Sequence, residues 1–244
     1  FDVPTTGSII PSKMSVNTKA GFSIVKYEGA SIEHATLPHG FNQKPDFVVI
    51  KGLSGSGTTG TGGSFNMSSG AGWPVYHSSM GLASARLDDV GGFGSTTNNN
   101  WKAVDDTTIS FGVDSWVNCS GVTYIAYCWH AVPGYSVFGS YEGNASGPNG
   151  PFIYTGFKPA WFMVKNVDQT GPSWDIYDNA RQPFNSDSFL NLPANSSATE
   201  GSKELEFLSN GVKIRELKSW NINSAETFVY MAFAETPLNF ANAQ

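Results

Sequence analysis

"GFSIVKYEG" (Gly21–Gly29) and "GYSVFGSYEG" (Gly134–Gly143) are two versions of one stretch. Both mix apolar or aromatic residues with small polar ones at close to every second position, and both close on Tyr-Glu-Gly. Neighbouring segments echo in the same order. "HGFNQKPDFVVIK" (39–51) is answered by "TGFKPAWFMVK" (155–165), and "WPVYHSS" (73–79) by "WDIYDNA" (174–180). "WVNCSGVTYIAYCW" (116–129) is answered by "WNINSAETFVYMAF" (220–233). Four paired blocks in one order predict an internal duplication of roughly 110 residues per copy. The pairing sets Trp73 with Trp174, Lys51 with Lys165 and Trp116 with Trp220.

The blocks read as strands. "VTYIAYCW" and "TFVYMAFA" are β-branched and aromatic nearly throughout, and "DFVVIK" and "WFMVK" are short apolar runs after a proline. Turn clusters such as "VGGFG", "NASGPNG" and "LSNG" separate them. Helical periodicity is nearly absent. The expected fold is all-β: two tandem β-sandwich, jelly-roll-like domains. The expected division is a lead-in at 1–20, a first repeat at 21–133 and a second at 134–244. The spacer near Pro133 is short, which makes the tandem rigid.

Composition narrows the partners. Only 14% of residues are charged, the net charge is −6, and the 14 basic residues form no run. Nucleic-acid binding needs a clustered positive face, so none is expected. No apolar stretch approaches the ~20 residues of a membrane-spanning helix, and no membrane insertion is expected. Cys119 and Cys128 are the two cysteines. On an extended strand they stand about 30 Å apart, beyond disulfide reach, so free thiols are expected. The start "FDVPTTGSIIPS" reads as the middle of a longer chain.

Few residues look chemical. His34, His39, His77 and His130 are scattered and lack metal-ligand spacing. Asp88–Asp89 and Asp105–Asp106 read as turn acids, so no metal and no cofactor is expected. No G-x-S-x-G nucleophile motif occurs. Asp175, Asp178, Glu204 and Glu206 are the acids from which a glycosidase pair would have to come, but Asp178 is expected to pair with Arg181 in "YDNAR". The chain is therefore expected not to be an enzyme. Trp101, after the polar run Asn98, Asn99, Asn100, is the candidate sugar-stacking platform, with those amides as hydroxyl partners. The paired tryptophans are expected to be framework.

The Gly/Ser-rich stretch Gly52–Gly72 spans 21 residues where its counterpart, Asn166–Ser173, has 8. It reads as a flexible insertion outside the core. Phe65 and Met67 within it are the candidate assembly or receptor contacts.

"PSKMSVNTKAGFSIVKYEG", "WPVYHSSMG", "YIAYCWHAVPGYSVFGSYEGN", "GPFIYTGFKPAWFMVKN" and "WDIYDNAR" together resemble a domain family of tailed-bacteriophage structural proteins, found largely in marine and cyanobacterial phages. The resemblance covers about Pro11 to Pro237. In that family the connector after "VIK" or "MVKN" is short, so the Gly52–Gly72 stretch departs from the pattern. The resemblance implies a virion β domain at the particle surface, but no set of site residues. The expected role is a tail-fibre or surface-appendage module that contacts host-surface glycan. A capsid decoration or fibre-shaft domain without a ligand is the first alternative, and a glycan-cleaving enzyme on the same scaffold the second. The expected partners are other virion proteins and further copies of the chain, three being the expected order.

Overall fold

The computed structural model describes residues 7–67, 70, 72–94, 100–147, 149–181, 185 and 189–236. Among them there is no α-helix, and so no helix long and apolar enough to cross a membrane. The chain divides into two compact units. Unit 1 holds residues 1–87 and 93–130; unit 2 holds Asp88–Gly92 and Ala131–Gln244.

Unit 1 contains β1 (Lys13–Asn17), β2 (Phe22–Glu28), β3 (Ala35–Pro38), β4 (Phe47–Thr58), β5 (Ser64–Asn66), β6 (Pro74–His77), β7 (Ala85–Arg86), β8 (Trp101–Val104), β9 (Thr108–Phe111) and β10 (Val122–Trp129). The larger sheet runs β1-β2-β10-β4-β6-β7, with β5 paired to β4. The smaller runs β3-β9-β8, and all these pairings are antiparallel. β10 shows why the sequence folds this way: Val122, Tyr124, Ala126 and Cys128 are buried in strict alternation. These side chains meet Leu37, Ile109 and Phe111 of the smaller sheet in one core. Tyr27 stacks between Phe111 and Tyr124, at 5.7 and 5.3 Å.

Residues assigned to a lead-in are part of this unit. Lys13–Asn17 form edge strand β1, and Ile9 is buried in the core.

Unit 2 contains β11 (Ser136–Glu142), β12 (Phe152–Tyr154), β13 (Pro159–Asn166), β14 (Asp175–Asp178), β15 (Phe189–Pro193), β16 (Gly201–Lys203), β17 (Leu205–Leu208), β18 (Gly211–Ile214) and β19 (Thr227–Ala234). Its larger sheet runs β11-β19-β13-β14-β15-β16 and its smaller β12-β18-β17. Phe162, Tyr177 and Phe228 of the larger sheet pack with Ile153, Phe207 and Val212 of the smaller.

The Gly52–Gly72 stretch corrects the sequence expectation. Its described part to Asn66 is a β-hairpin, not a flexible excursion: β4 continues to Thr58, and β5 returns with Gly57 opposite Phe65. A tight turn joins them, Thr59 N–H donating to the Gly63 carbonyl at 2.7 Å. Phe65 and Met67 pack against the core of their own unit. The glycines serve close approach. A Cβ on Gly57 would lie 1.7 Å from the Ser120 carbonyl oxygen, and one on Gly60 2.5 Å from the Val113 side chain. Ser31 ties the hairpin down: its hydroxyl donates to the Thr58 carbonyl at 2.6 Å and accepts from Ser120 N–H at 2.8 Å.

Candidate functional site

The sequence "PFIYT" (151–155) makes β12 an edge strand with one residue pointing in and two pointing out. Ile153 is buried in the unit 2 core, while Phe152 is 45% and Tyr154 66% exposed. Side chains alternate along a strand, so both rings stand on the outer face of the smaller sheet. The register sets Phe152 opposite Lys213 and Tyr154 opposite Gly211. Gly211 shapes this face. A Cβ there would meet the Ile153 carbonyl oxygen at 2.3 Å and the tip of the Phe152 ring at 2.7 Å, so the close approach of β12 to β18 requires glycine, and the ring lies over it.

Polar groups flank the rings. Lys213 donates from Nζ to the Gly150 carbonyl. Glu206, opposite Lys213 on β17, accepts from Arg215 Nη2 at 2.9 Å and Nε at 3.1 Å. Two aromatic faces beside a mixed set of donors and acceptors suit a ligand with an apolar face and a hydroxyl rim. The smaller sheet of unit 1 carries Thr36 and Ser110 between its core residues, and Thr36 is hydrogen-bonded to Ser8 and Ile9.

The expected platform lies elsewhere and is closed. Trp101 is 3% exposed and packs against Tyr76 and Phe111, at 5.9 and 6.1 Å between ring centroids. The reason is register: Trp101 sits opposite core residue Phe111 and so points inward. Asn100 is also buried, its Nδ2 donating to Ser84 Oγ at 3.0 Å. Asn98 and Asn99 lie outside the described residues. Trp101 and Asn100 therefore offer nothing to a sugar. Phe65 and Met67, buried in part against the core, are framework in their own unit.

The four carboxylates of the glycosidase reading do not share a face. Asp178 is bound by Arg181, Nε to Oδ2 at 2.5 Å, as the sequence suggested, and Glu200 joins through Arg181 Nη1. Glu206 is on the outer face. Asp175 points into unit 2, where Asn221 Nδ2 donates to its Oδ2 at 2.8 Å. Burial pushes its carboxyl up, against hydrogen bonds from Asn221 and Asn191. Lys165 is fully buried, donating to the Val90 and Pro172 carbonyls at 3.1 and 2.6 Å. Burial pulls its ammonium down to about 8, against the attraction of Asp89 and Asp175. Cys119 and Cys128 are free and buried, and burial pushes the Cys128 thiol up to about 12, which makes it unreactive. Among the described residues no three His, Cys, Asp or Glu side chains group as metal ligands.

Each unit also holds a turn built on one scheme. In unit 1, Tyr27 donates its hydroxyl to the Val117 carbonyl, and Asn118 accepts from Ala30 N–H while donating to the Ile32 and Gly112 carbonyls. In unit 2, Tyr141 donates to Ile222, and Asn223 accepts from Asn144 N–H while donating to Ser146 and Glu216. The two turns differ in where their tryptophans stand. Asp114 accepts backbone bonds from Val117 and Asn118 as Ser219 does from Ile222 and Asn223. Trp116 stands two residues after its capping residue Asp114, and Trp220 one residue after its capping residue Ser219. Trp116 lies under Arg86, at 4.8 Å from its guanidinium. Trp220 is 61% exposed, and Leu217 in the same turn 66%. Beside them Glu226 accepts from Ser224, Asn166 and Gln169. Burial alone would raise its carboxyl, but these bonds and the Lys218 charge hold it below the ordinary value.

A family described as a domain of unknown function, DUF7483, matches residues 2–237. The chain belongs to this family. The DUF7483 domain takes in residues of both units, so the family is defined by the pair and not by one unit alone. No curated protein and no solved structure matches the chain.

Proposed function

We propose that the chain is a bacteriophage virion structural module, a tail-fibre or surface-appendage piece, whose second unit contacts host-surface glycan. The Phe152–Tyr154 pair carries this reading. Two exposed rings on a sheet face, one seated over a glycine, form a prepared stacking surface, and Lys213, Arg215 and Glu206 supply partners for hydroxyls. The low charge and the resemblance of five segments to phage structural proteins support the particle setting. In this reading the chain binds glycan without cleaving it.

We also propose that the chain is a tandem duplication of one jelly-roll-like β-sandwich. The strand orders β2-β10-β4-β6-β7 and β11-β19-β13-β14-β15 run parallel to one another, as do β3-β9-β8 and β12-β18-β17, and this supports the reading. So do the paired turns on Asn118 and Asn223.

The test is an array of bacterial surface polysaccharides probed with the intact protein. Retention of at least one glycan is expected, with Phe152→Ala and Tyr154→Ala each weakening it tenfold or more. Failure to retain any glycan, or unchanged retention by the double variant, would overturn the reading. Mass spectrometry of purified particles checks the virion location separately.

A further inference from the structure

We propose that the open edge of unit 2, formed by β11 and β12, takes up an extended segment of a neighbouring protein by strand addition. Backbone bonds fix which way each residue turns. In β11, Gly143 N–H donates to the Glu226 carbonyl and the Tyr135 carbonyl accepts from Ala234 N–H. Alternate residues Val137, Gly139 and Tyr141 therefore face β19. Ser140 and Glu142 turn their backbone groups away from the sheet, and both residues are exposed. In β12, the Pro151 carbonyl accepts from Ile214 N–H and Thr155 N–H donates to the Asn210 carbonyl, so the backbone groups of Phe152 and Tyr154 turn outward. Among the described residues no strand pairs with either edge.

Unit 1 shows what fills this place. There residues 8–17 run along the matching edge. Thr36 precedes buried Leu37 as Phe152 precedes buried Ile153. Its N–H donates to Ser8 Oγ at 2.8 Å, and its carbonyl accepts from Ile9 N–H at 3.0 Å. Ser12 then donates to the Lys26 carbonyl, from its N–H at 2.7 Å and its hydroxyl at 3.1 Å, and β1 pairs antiparallel with β2. Lys26 stands two residues before Glu28, which is opposite Thr123 of β10. Ser140 likewise stands two residues before Glu142, opposite Thr227 of β19. Unit 2 has no such strand of its own: β10 ends at Trp129 and β11 starts at Ser136, so only residues 130–135 precede β11.

The edges of the larger sheets also differ in protection. Exposed strand edges are ordinarily kept short, charged with lysine or broken by proline. β7 has two residues, β16 has three and carries Lys203, and β1 carries Lys13. β11 has seven residues, and its one charge is Glu142 at the end. Strand addition draws affinity from main-chain bonds and specificity from alternate side chains. The occupant is a protein segment with the chemistry of residues 8–17: a serine and an isoleucine for β12, then a strand antiparallel to β11. That choice of sequence rests on the duplication proposed above. The ring faces that carry the glycan reading are not used, so either proposal can fail alone.

The test uses the intact protein and a synthetic peptide of residues 7–17, GSIIPSKMSVN, carrying a fluorophore. Saturable binding of one peptide per chain is expected by fluorescence anisotropy. Hydrogen exchange at the Ser140 and Glu142 amides should slow when the peptide is bound. A peptide methylated on the Ser12 nitrogen lacks the donor that β2 receives in unit 1, and should bind at least tenfold more weakly; it leaves the protein itself unaltered. No binding up to about 1 mM peptide, or equal binding of the methylated peptide, would overturn the proposal. So would binding that leaves exchange at β11 unchanged and acts by displacing β1 from unit 1.

Discussion

The two units solve one problem in opposite ways. Each has a turn fastened by an asparagine, Asn118 or Asn223, that has to be closed against solvent or left open to it. Unit 1 covers its turn with its own glycine-rich hairpin and draws Phe65 and Met67 into the core. Unit 2 has a short connector, and its turn keeps Leu217 and Trp220 in solvent. The smaller sheets differ in the same sense: Thr36 and Ser110 in unit 1, Phe152 and Tyr154 in unit 2. Unit 1 closes its apolar surface internally, and unit 2 presents it. On the function proposed above, unit 2 is the half that would meet partners.

The comparison can be tested most strongly where unit 2 resembles unit 1, in its core. Trp174 is buried, 1% exposed, and its backbone N–H donates to Asn195 Oδ1 at 2.9 Å. Trp174→Ala should cost about 3–5 kcal/mol in urea unfolding. A loss below about 1 kcal/mol would mean that this side chain is not framework.

The next effect is a pH slope. Lys165 titrates near 8 in the folded unit against the ordinary 10.5. Between those values the unfolded chain binds more protons, so stability due to Lys165 rises with pH across the window. Relative to Lys165→Met, the wild type should gain on the order of 2 kcal/mol from pH 8 to 10.5. Titrating tyrosines are common to both proteins and cancel in the difference. Parallel stability curves would show that the ammonium is not held in a desolvated site.

The hairpin comes third. Phe65→Ala should destabilise unit 1 by about 1–2 kcal/mol, the share expected of a half-buried ring. Gly57→Ala should also destabilise, because its methyl group collides with the Ser120 carbonyl. If both variants melt like the wild type, the hairpin does not contribute to the core and the contrast between the units collapses.

The smallest effect is the most diagnostic. Leu217→Ser/Trp220→Ser should change monomer stability by no more than about 0.5 kcal/mol. A large loss would show that unit 2, like unit 1, uses this turn internally.

Much of the architecture is legible in the sequence. Alternation in "FSIVKYEG" and "VTYIAYCW" marked strands whose inward residues, Tyr27, Tyr124 and Cys128, are core. The Asp178–Arg181 pair and the free cysteines followed from local spacing. The binding surfaces did not, for three physical reasons. Glycine enrichment is the same in a flexible linker and in a hairpin pressed against carbonyls, so Gly52–Gly72 read as the first while being the second. Trp101 follows a polar run, but its inward direction is set by pairing with β9, a long-range fact. Trp116 and Trp220 look equivalent in sequence, yet Trp116 stands two residues after its capping carbonyl and Trp220 only one, with Trp220 in solvent. Phe152 and Tyr154 did leave a signal, two aromatics bracketing one isoleucine between glycine-rich turns, but it resembles any half-buried strand.

The segment Asp88–Gly92 has a consequence for biosynthesis. It lies within the sequence of unit 1 yet belongs to unit 2, where the Val90 carbonyl accepts from Lys165 Nζ and from Gly171 N–H at 3.0 Å. A nascent chain emerges from its N-terminus, so this piece of unit 2 is made before unit 1 is finished and long before its acceptors' partners exist. Unit 1 must therefore close around a segment it does not retain. Expression of residues 131–244 alone would leave Lys165 and Gly171 without the Val90 carbonyl. The boundary between the halves in the gene is not the boundary at which the chain can be cut.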